Sequence, residues 1–169
     1  KELTNKLMKL KNNNWNQINW RKIKKKVSLL QEKLVVAYEN GNYNQVYLLQ
    51  NKIMMSFAGR ATAVRRVVSN RGKSTAGIDK IIWDTPTKKY NAIVELRKTL
   101  TQKEGTYKAS LVKRVWIEKT NSDELRPLGI PTMHDRSLQA LVLLCLDPIV
   151  ESQSDHHSYG SRLFRSAHD

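Results

Sequence analysis

At 169 residues the chain has room for one domain, or one domain with an appended arm, and a 40% hydrophobic content is enough to build a buried core. Thirty Lys and Arg against fifteen Asp and Glu leave a net charge of +15, which favours a polyanionic partner because every phosphate neutralised releases condensed counterions. One cysteine excludes an internal disulfide framework and a Cys-based zinc site, and no stretch approaches the ~20 consecutive apolar residues of a membrane span.

Residues 1–14 are rich in Lys and Asn and read as a flexible basic lead-in without an initiator Met or an apolar signal region. Residues 16–39 predict an amphipathic helix: Ile23, Val27, Leu30, Leu34 and Ala37 recur at spacings of three and four. Arg21, Lys22, Lys24, Lys25, Lys26 and Lys33 fill the remaining positions, and Asn40-Gly41 is its stop. A second helix begins near Tyr43, with Val46, Leu49, Ile53 and Phe57 as its apolar stripe, and continues or restarts from Arg60 to Val68. The short turn between the two implies antiparallel packing. The triplet Leu-Leu-Gln occurs at residues 29–31 and 48–50 without any further periodicity, and reads as coincidence.

Residues 71–86 are loop-like, and residues 87–101 give a third amphipathic pattern with Tyr90, Ile93, Val94 and Leu100 on one side, broken by Lys103-Glu104-Gly105. From 107 to 131 the period changes to two. Leu111, Lys113, Val115 and Ile117 alternate with Val112, Arg114, Trp116 and Glu118, and a polar loop precedes Leu125 to Ile130, which predicts a β-hairpin. Residues 133–152 are apolar and helical in length, with Pro148 predicting a kink or break. The polar tail 155–169 stops abruptly, so the expectation is a piece of a longer protein.

Several chemistries find no support. Gly72-Lys73-Ser74-Thr75 resembles the end of a phosphate-binding P-loop, but the required earlier Gly is Val67 and no strand leads in. His134, His156, His157 and His168 do not form a ligand set, and no Gly-x-Ser-x-Gly occurs. Asp79, Asp84, Asp123, Asp135 and Asp147 are scattered, with no catalytic or metal grouping. Cys145, in an apolar run, reads as a small buried hydrophobe.

Two constellations remain. The basic helix has too many cations for i,i+4 pairing with acids, which favours a phosphate-contacting surface over a solvated one. Arg65 and Arg66 join Arg21, Lys22, Lys24, Lys25 and Lys26 as the candidate RNA-binding set. Trp15 and Trp20 flank the start of the helix, as base-stacking or as packing residues. On the hairpin, Lys119 ends one strand and Arg126 begins the next, an arrangement expected to face two cations across the loop. These suit a triphosphate, or are simply exposed cations near Asp123 and Glu124; residue types alone do not choose.

The segment Arg126-Pro127-Leu128-Gly129-Ile130-Pro131-Thr132, with Asp135-Arg136 and Gln139-Ala140-Leu141, resembles the fingers motif of group II intron reverse transcriptases. Trp15, Ile18-Asn19-Trp20, Leu30-Gln31, Ala37, Gly41, Leu49-Gln50, Ser56, Ala63-Val64, Asn70, Gly72, Thr75, Gly77 and Asp79 are similar to the segments preceding it in that family. Ser158-Tyr159-Gly160, Arg162 and Arg165-Ser166-Ala167-His168-Asp169 resemble the block that follows.

The resemblance implies an α+β, mostly helical fold: right-hand polymerase fingers with an N-terminal helical extension and one β-hairpin. It divides the chain into an RNA-binding extension over 15–70, fingers over 71–152 and the start of a palm over 153–169. It implies RNA-directed DNA polymerase activity in the full-length protein, maturase assistance to splicing, and retrotransposition. Implied partners are group II intron RNA, template RNA with primer and a DNA target, with no membrane, in a bacterial cytoplasm or an organelle. By motif position Lys119 and Arg126 are the cations that contact the incoming nucleotide. Mg2+ is implied in the full-length protein, on carboxylates outside these residues, so no catalytic or metal-binding residue is expected here. Where the family has Ile-Pro-Lys this chain has Ile117-Glu118-Lys119, and Gly160-Ser161-Arg162-Leu163 stands for Gly-Phe-Arg-Pro. These departures fit the alternative of an RNA-binding splicing maturase module with degenerate or no polymerase activity.

Overall fold

A computed structural model describes residues 15–103, 106–120, 123–155, 157–160, 162, 165 and 166. The expected lead-in 1–14, the break at Glu104-Gly105, His156 and the ending Ala167-His168-Asp169 lie outside them. Five α-helices and one two-stranded antiparallel hairpin are present among the described residues: α1 Trp20–Glu39, α2 Tyr43–Met55, α3 Phe57–Ser69, α4 Pro86–Leu100, β1 Lys113–Glu118, β2 Leu125–Ile130 and α5 Met133–Gln153. The class is α+β and mostly helical.

Each helix start is set by a side-chain cap that satisfies an otherwise orphaned N–H. Asn19 accepts from the Lys22 amide, Asn42 from Gln45, Ser56 from Gly59, Thr85 from Lys88 and Thr132 from Asp135. Helix α1 therefore begins at Trp20, and Trp15 to Gln17 form a turn ahead of it. Gly41 ends the α1–α2 turn at φ 67°, a backbone angle that costs glycine little. The second apolar pattern is two helices, because Ser56 both closes α2 and caps α3. At that junction a Cβ on Gly59 would lie 2.1 Å from the Ile53 carbonyl oxygen, so no larger residue fits without moving α2.

Helix α3 is the centre of the packing. Its small residues let two neighbours approach. Ala61 and Val64 meet Ala92, Ile93 and Leu96 of α4, while Ala63 and Val67 meet Met133, Ala140 and Leu141 of α5. A further cluster joins Leu30, Leu34 and Ala37 of α1 to Val46, Leu49 and Ile53 of α2 and Cys145 of α5, as the antiparallel expectation required. Cys145 is buried, and loss of solvent raises its thiol pKa to about 11.

Three sequence expectations need correction. In α4 the core residues are Ala92, Ile93 and Leu96, and Val94 is exposed. Strand structure begins at Lys113, so Tyr107 to Val112 lead into the hairpin without pairing. Of the kink or break expected at Pro148, the break does not occur, since α5 runs on to Gln153. The carbonyl at Leu144 that a proline at 148 deprives of its helical donor accepts instead from Gln31 Nε2 at 2.9 Å. The next carbonyl, Cys145, accepts from Gln50 Nε2 at 3.5 Å.

Candidate nucleic-acid interface

The cations of α1 are exposed and fan around the face opposite its buried stripe. Val27, Leu30, Leu34 and Ala37 point inward. Lys33 borders the α2 side with Val36 and Leu49. Lys24 borders the other side, in a groove it shares with Trp20, Thr62, Arg65 and Leu144. With 100° between successive helical residues, Lys22 and Lys26 lie on the flank of Lys33. Arg21, Lys22, Lys24, Lys25 and Lys26 have no carboxylate partner among the described residues, whose ion pairs all lie elsewhere.

The two arginines of α3 differ in setting. Arg65 is exposed and its guanidinium carbon sits 4.5 Å from the centre of the Trp20 ring. Arg66 is half-buried and lies 3.8 Å from the Asp147 carboxylate, so part of its charge is already answered within the fold. Trp20 packs edge-on against Trp15 at 4.9 Å, and Lys89 lies 6.0 Å from the Trp15 ring. Both tryptophans also cover the α3–α4 cluster. The indoles are thus packing residues whose ring faces also meet cations. Lys89 was not identifiable from sequence, because α4 brings it to Trp15 only through tertiary packing.

The hairpin register pairs Ile117 with Arg126 and Glu118 with Leu125. The Lys119 amide bonds to the Glu124 carbonyl at 3.0 Å, so Lys119 stands opposite Glu124. This corrects the expectation that Lys119 and Arg126 face each other. Side chains alternate along a strand, so both lie on the same face as diagonal neighbours. Glu124 shares that face, and its carboxylate is 2.5 Å from Lys119 Nζ. The Arg126 side chain has no hydrogen-bond or ion-pair partner among the described residues. The opposite face carries exposed Trp116 and Leu125. Neither strand packs against a helix.

Arg136 ties the hairpin base to the loop after α3. Its guanidinium donates to the carbonyls of Pro131 at 2.9 Å, Gly72 at 3.0 Å and Thr75 at 2.5 Å. A Cβ on Gly77 would lie 2.7 Å from Thr132 Cα, so only glycine lets the loop rest on the α5 start. Asp135 accepts from the Thr132 and Tyr107 hydroxyls. Burial pulls its carboxyl pKa up, but these donors outweigh it and the net shift is downward. Tyr107 is raised to about 12 by burial and by Asp135. At the other end of α5, Glu151 accepts from Arg162 and Arg165, which lower its carboxyl to about 2. Another residue missed in sequence is Arg60, buried in α3, with Nη1 donating to the Ile93 carbonyl at 2.6 Å and Nε without a partner. Sequence carried no signal for it, since a lone arginine in a helical pattern is ordinarily solvated.

Among the described residues no three of His, Cys, Asp and Glu gather to hold a metal ion. No described helix is long and apolar enough to cross a membrane.

Residues 15–96 match the family model described as the N-terminal domain of reverse transcriptase. Over 107 residues, 63% of this chain, the sequence is 37% identical to the group II intron-encoded protein LtrA of Lactococcus lactis subsp. cremoris, of which 17% is covered. Over 109 residues, 64% of this chain, it is 37% identical to protein YkfC of Escherichia coli strain K12, of which 28% is covered. The chain spans less than a third of either relative.

Proposed function

We infer that this chain is the N-terminal region of a group II intron-type reverse transcriptase/maturase, a reading supported by the match over residues 15–96 and by the two relatives. In this reading the helices over 15–70 bind folded intron RNA and assist splicing. Residues 71–152 are the fingers, gripping template RNA and the incoming dNTP for RNA-templated DNA synthesis, and retrotransposition uses both roles. The magnesium ions of that synthesis would be held by carboxylates outside these residues.

The observation that carries the reading is the row of exposed α1 cations without carboxylate partners. A soluble helix gains by pairing such charges at i,i+4, whereas Arg21, Lys22, Lys24, Lys25 and Lys26 are left to an external anion. Arg65, held over Trp20, extends the surface onto α3. On the hairpin, Arg126 supplies a bidentate donor and Lys119 a point charge for the nucleotide triphosphate.

The alternative, a splicing maturase with degenerate or no polymerase activity, has one observation in its favour. Lys119 is already paired with Glu124, on the face where phosphates would bind. An exposed pair of this kind is worth only about 0–1 kcal/mol, so a triphosphate can displace it.

Affinities for a folded group II intron RNA and for an unrelated structured RNA, measured across a salt series, test the main reading. A preference for the intron that persists as salt rises supports it. Equal and steeply salt-sensitive binding to both removes specific recognition from these residues.

A further inference from the structure

The groove between α1, α3 and α5 combines features that the overall positive charge does not require. It has a volume of about 330 Å³ and is lined by Trp20, Lys24, Val27, Thr62, Arg65 and Leu144 among others. That volume is at the small end of the roughly 300–1,000 Å³ typical of small-ligand clefts. It is too small for a duplex and suits a single nucleotide. Its floor is apolar, from Val27 and Leu144, while Lys24 and Arg65 are exposed cations. Arg65 is distinct from every other cation in the candidate set. Trp20 covers one side of its guanidinium at 4.5 Å, no carboxylate pairs with it, and it remains exposed.

We propose that this groove takes one unstacked nucleotide of a bound RNA, the base stacking on the Arg65 guanidinium that Trp20 backs, and the adjoining phosphate meeting Lys24. The inference rests on the RNA-binding reading above and locates a base-dependent contact within it. A guanidinium plane is a platform for an extruded base, and its indole backing holds it in one orientation, so less rotamer freedom is lost on binding. Lys24 lies one helical turn after Trp20, on the same side of α1. Thr62 and Gln31 also line the groove; the Thr62 hydroxyl donates to the Ala58 carbonyl and the Gln31 amide to the Leu144 carbonyl, which leaves their oxygens to accept from a base edge.

The test uses the whole chain and two synthetic RNA hairpins, identical except that one carries a bulged adenosine and the other an abasic ribose at the same position. Stacking on one side chain is worth roughly 1–3 kcal/mol, so the adenosine RNA should bind about tenfold more tightly. Arg65→Lys keeps the charge but removes the platform, and should abolish that ratio while leaving the salt dependence intact. Lys24→Gln should do the reverse, weakening both RNAs by a similar factor and flattening the salt dependence. A wild-type ratio near one, with strong binding to both hairpins, overturns the groove assignment and leaves the RNA-binding reading standing. Binding to neither hairpin overturns both. Displacement of both RNAs by poly-glutamate at equal charge concentration would assign the groove to an acidic polypeptide and overturn the proposal.

Discussion

Gln31 of α1 donates its side-chain amide to the carbonyl of Leu144 in α5 at 2.9 Å, at the point where Pro148 cannot supply the helical N–H. This bond lets α5 continue through the proline. A part-buried carbonyl left without a donor costs about 1–3 kcal/mol, so Gln31→Ala should destabilise the chain by that amount in urea unfolding. In a Pro148→Ala background residue 148 regains its N–H, and the same substitution should then cost less than half as much. Equal costs in both backgrounds would show that Gln31 acts independently of the proline.

Gly77 rests on the backbone of Thr132, where a Cβ would come within 2.7 Å of Cα. The obstacle is backbone and cannot rotate away. Overpacking of this kind costs typically about 1–3 kcal/mol, and Gly77→Ala should lower stability by that much. It should also separate the loop from the hairpin base that Arg136 holds, seen as faster proteolysis between residues 71 and 85. Unchanged stability would mean that the loop is not seated there.

Cys145 lies in the α1–α2–α5 cluster with its thiol raised to about 11 by burial. Thiolate is the reactive form. At pH 8 the folded chain should resist iodoacetamide, and unfolding in urea should expose the thiol to complete labelling. Rapid labelling of the native chain would show that the cluster opens locally.

In a longer protein with the polymerase domain, Arg126→Ala should lower kcat/KM for dNTP by about ten- to a hundredfold, the scale of a lost charge-assisted hydrogen bond, with RNA affinity little changed. Glu124→Gln, which removes the competing carboxylate beside Lys119, should lower KM for dNTP. If Arg126→Ala lowered RNA affinity and polymerisation equally, the hairpin would be an RNA contact and not a nucleotide site.

Much of the helical framework was legible in sequence. The stripe Val27, Leu30, Leu34 and Ala37 is the buried face of α1, and residues 113–118 pair with residues 125–130 in a hairpin. Local periodicity records which face is buried, but not what packs against it. The two Leu-Leu-Gln triplets looked like coincidence, yet Gln31 and Gln50 reach consecutive carbonyls of α5. That link spans more than ninety residues. The same distance in sequence hid the contacts of Arg136 with Gly72, Arg65 with Trp20 and Lys89 with Trp15. The hairpin error had a different source. A loop read over residues 120–124 takes in Glu124, whereas the register sets Glu124 opposite Lys119 and Arg126 opposite Ile117.

The central claim, that α1 is a phosphate-contacting surface, is tested most directly by the salt dependence of RNA binding in the wild-type chain and in the triple variant Lys24→Gln, Lys25→Gln, Lys26→Gln. Each phosphate contact contributes roughly 0.7–0.9 to the slope of log affinity against log salt. The account predicts weaker binding and a slope reduced by about 2 units. An unchanged slope would contradict it, leaving these lysines as solvated charges and placing the RNA contacts elsewhere.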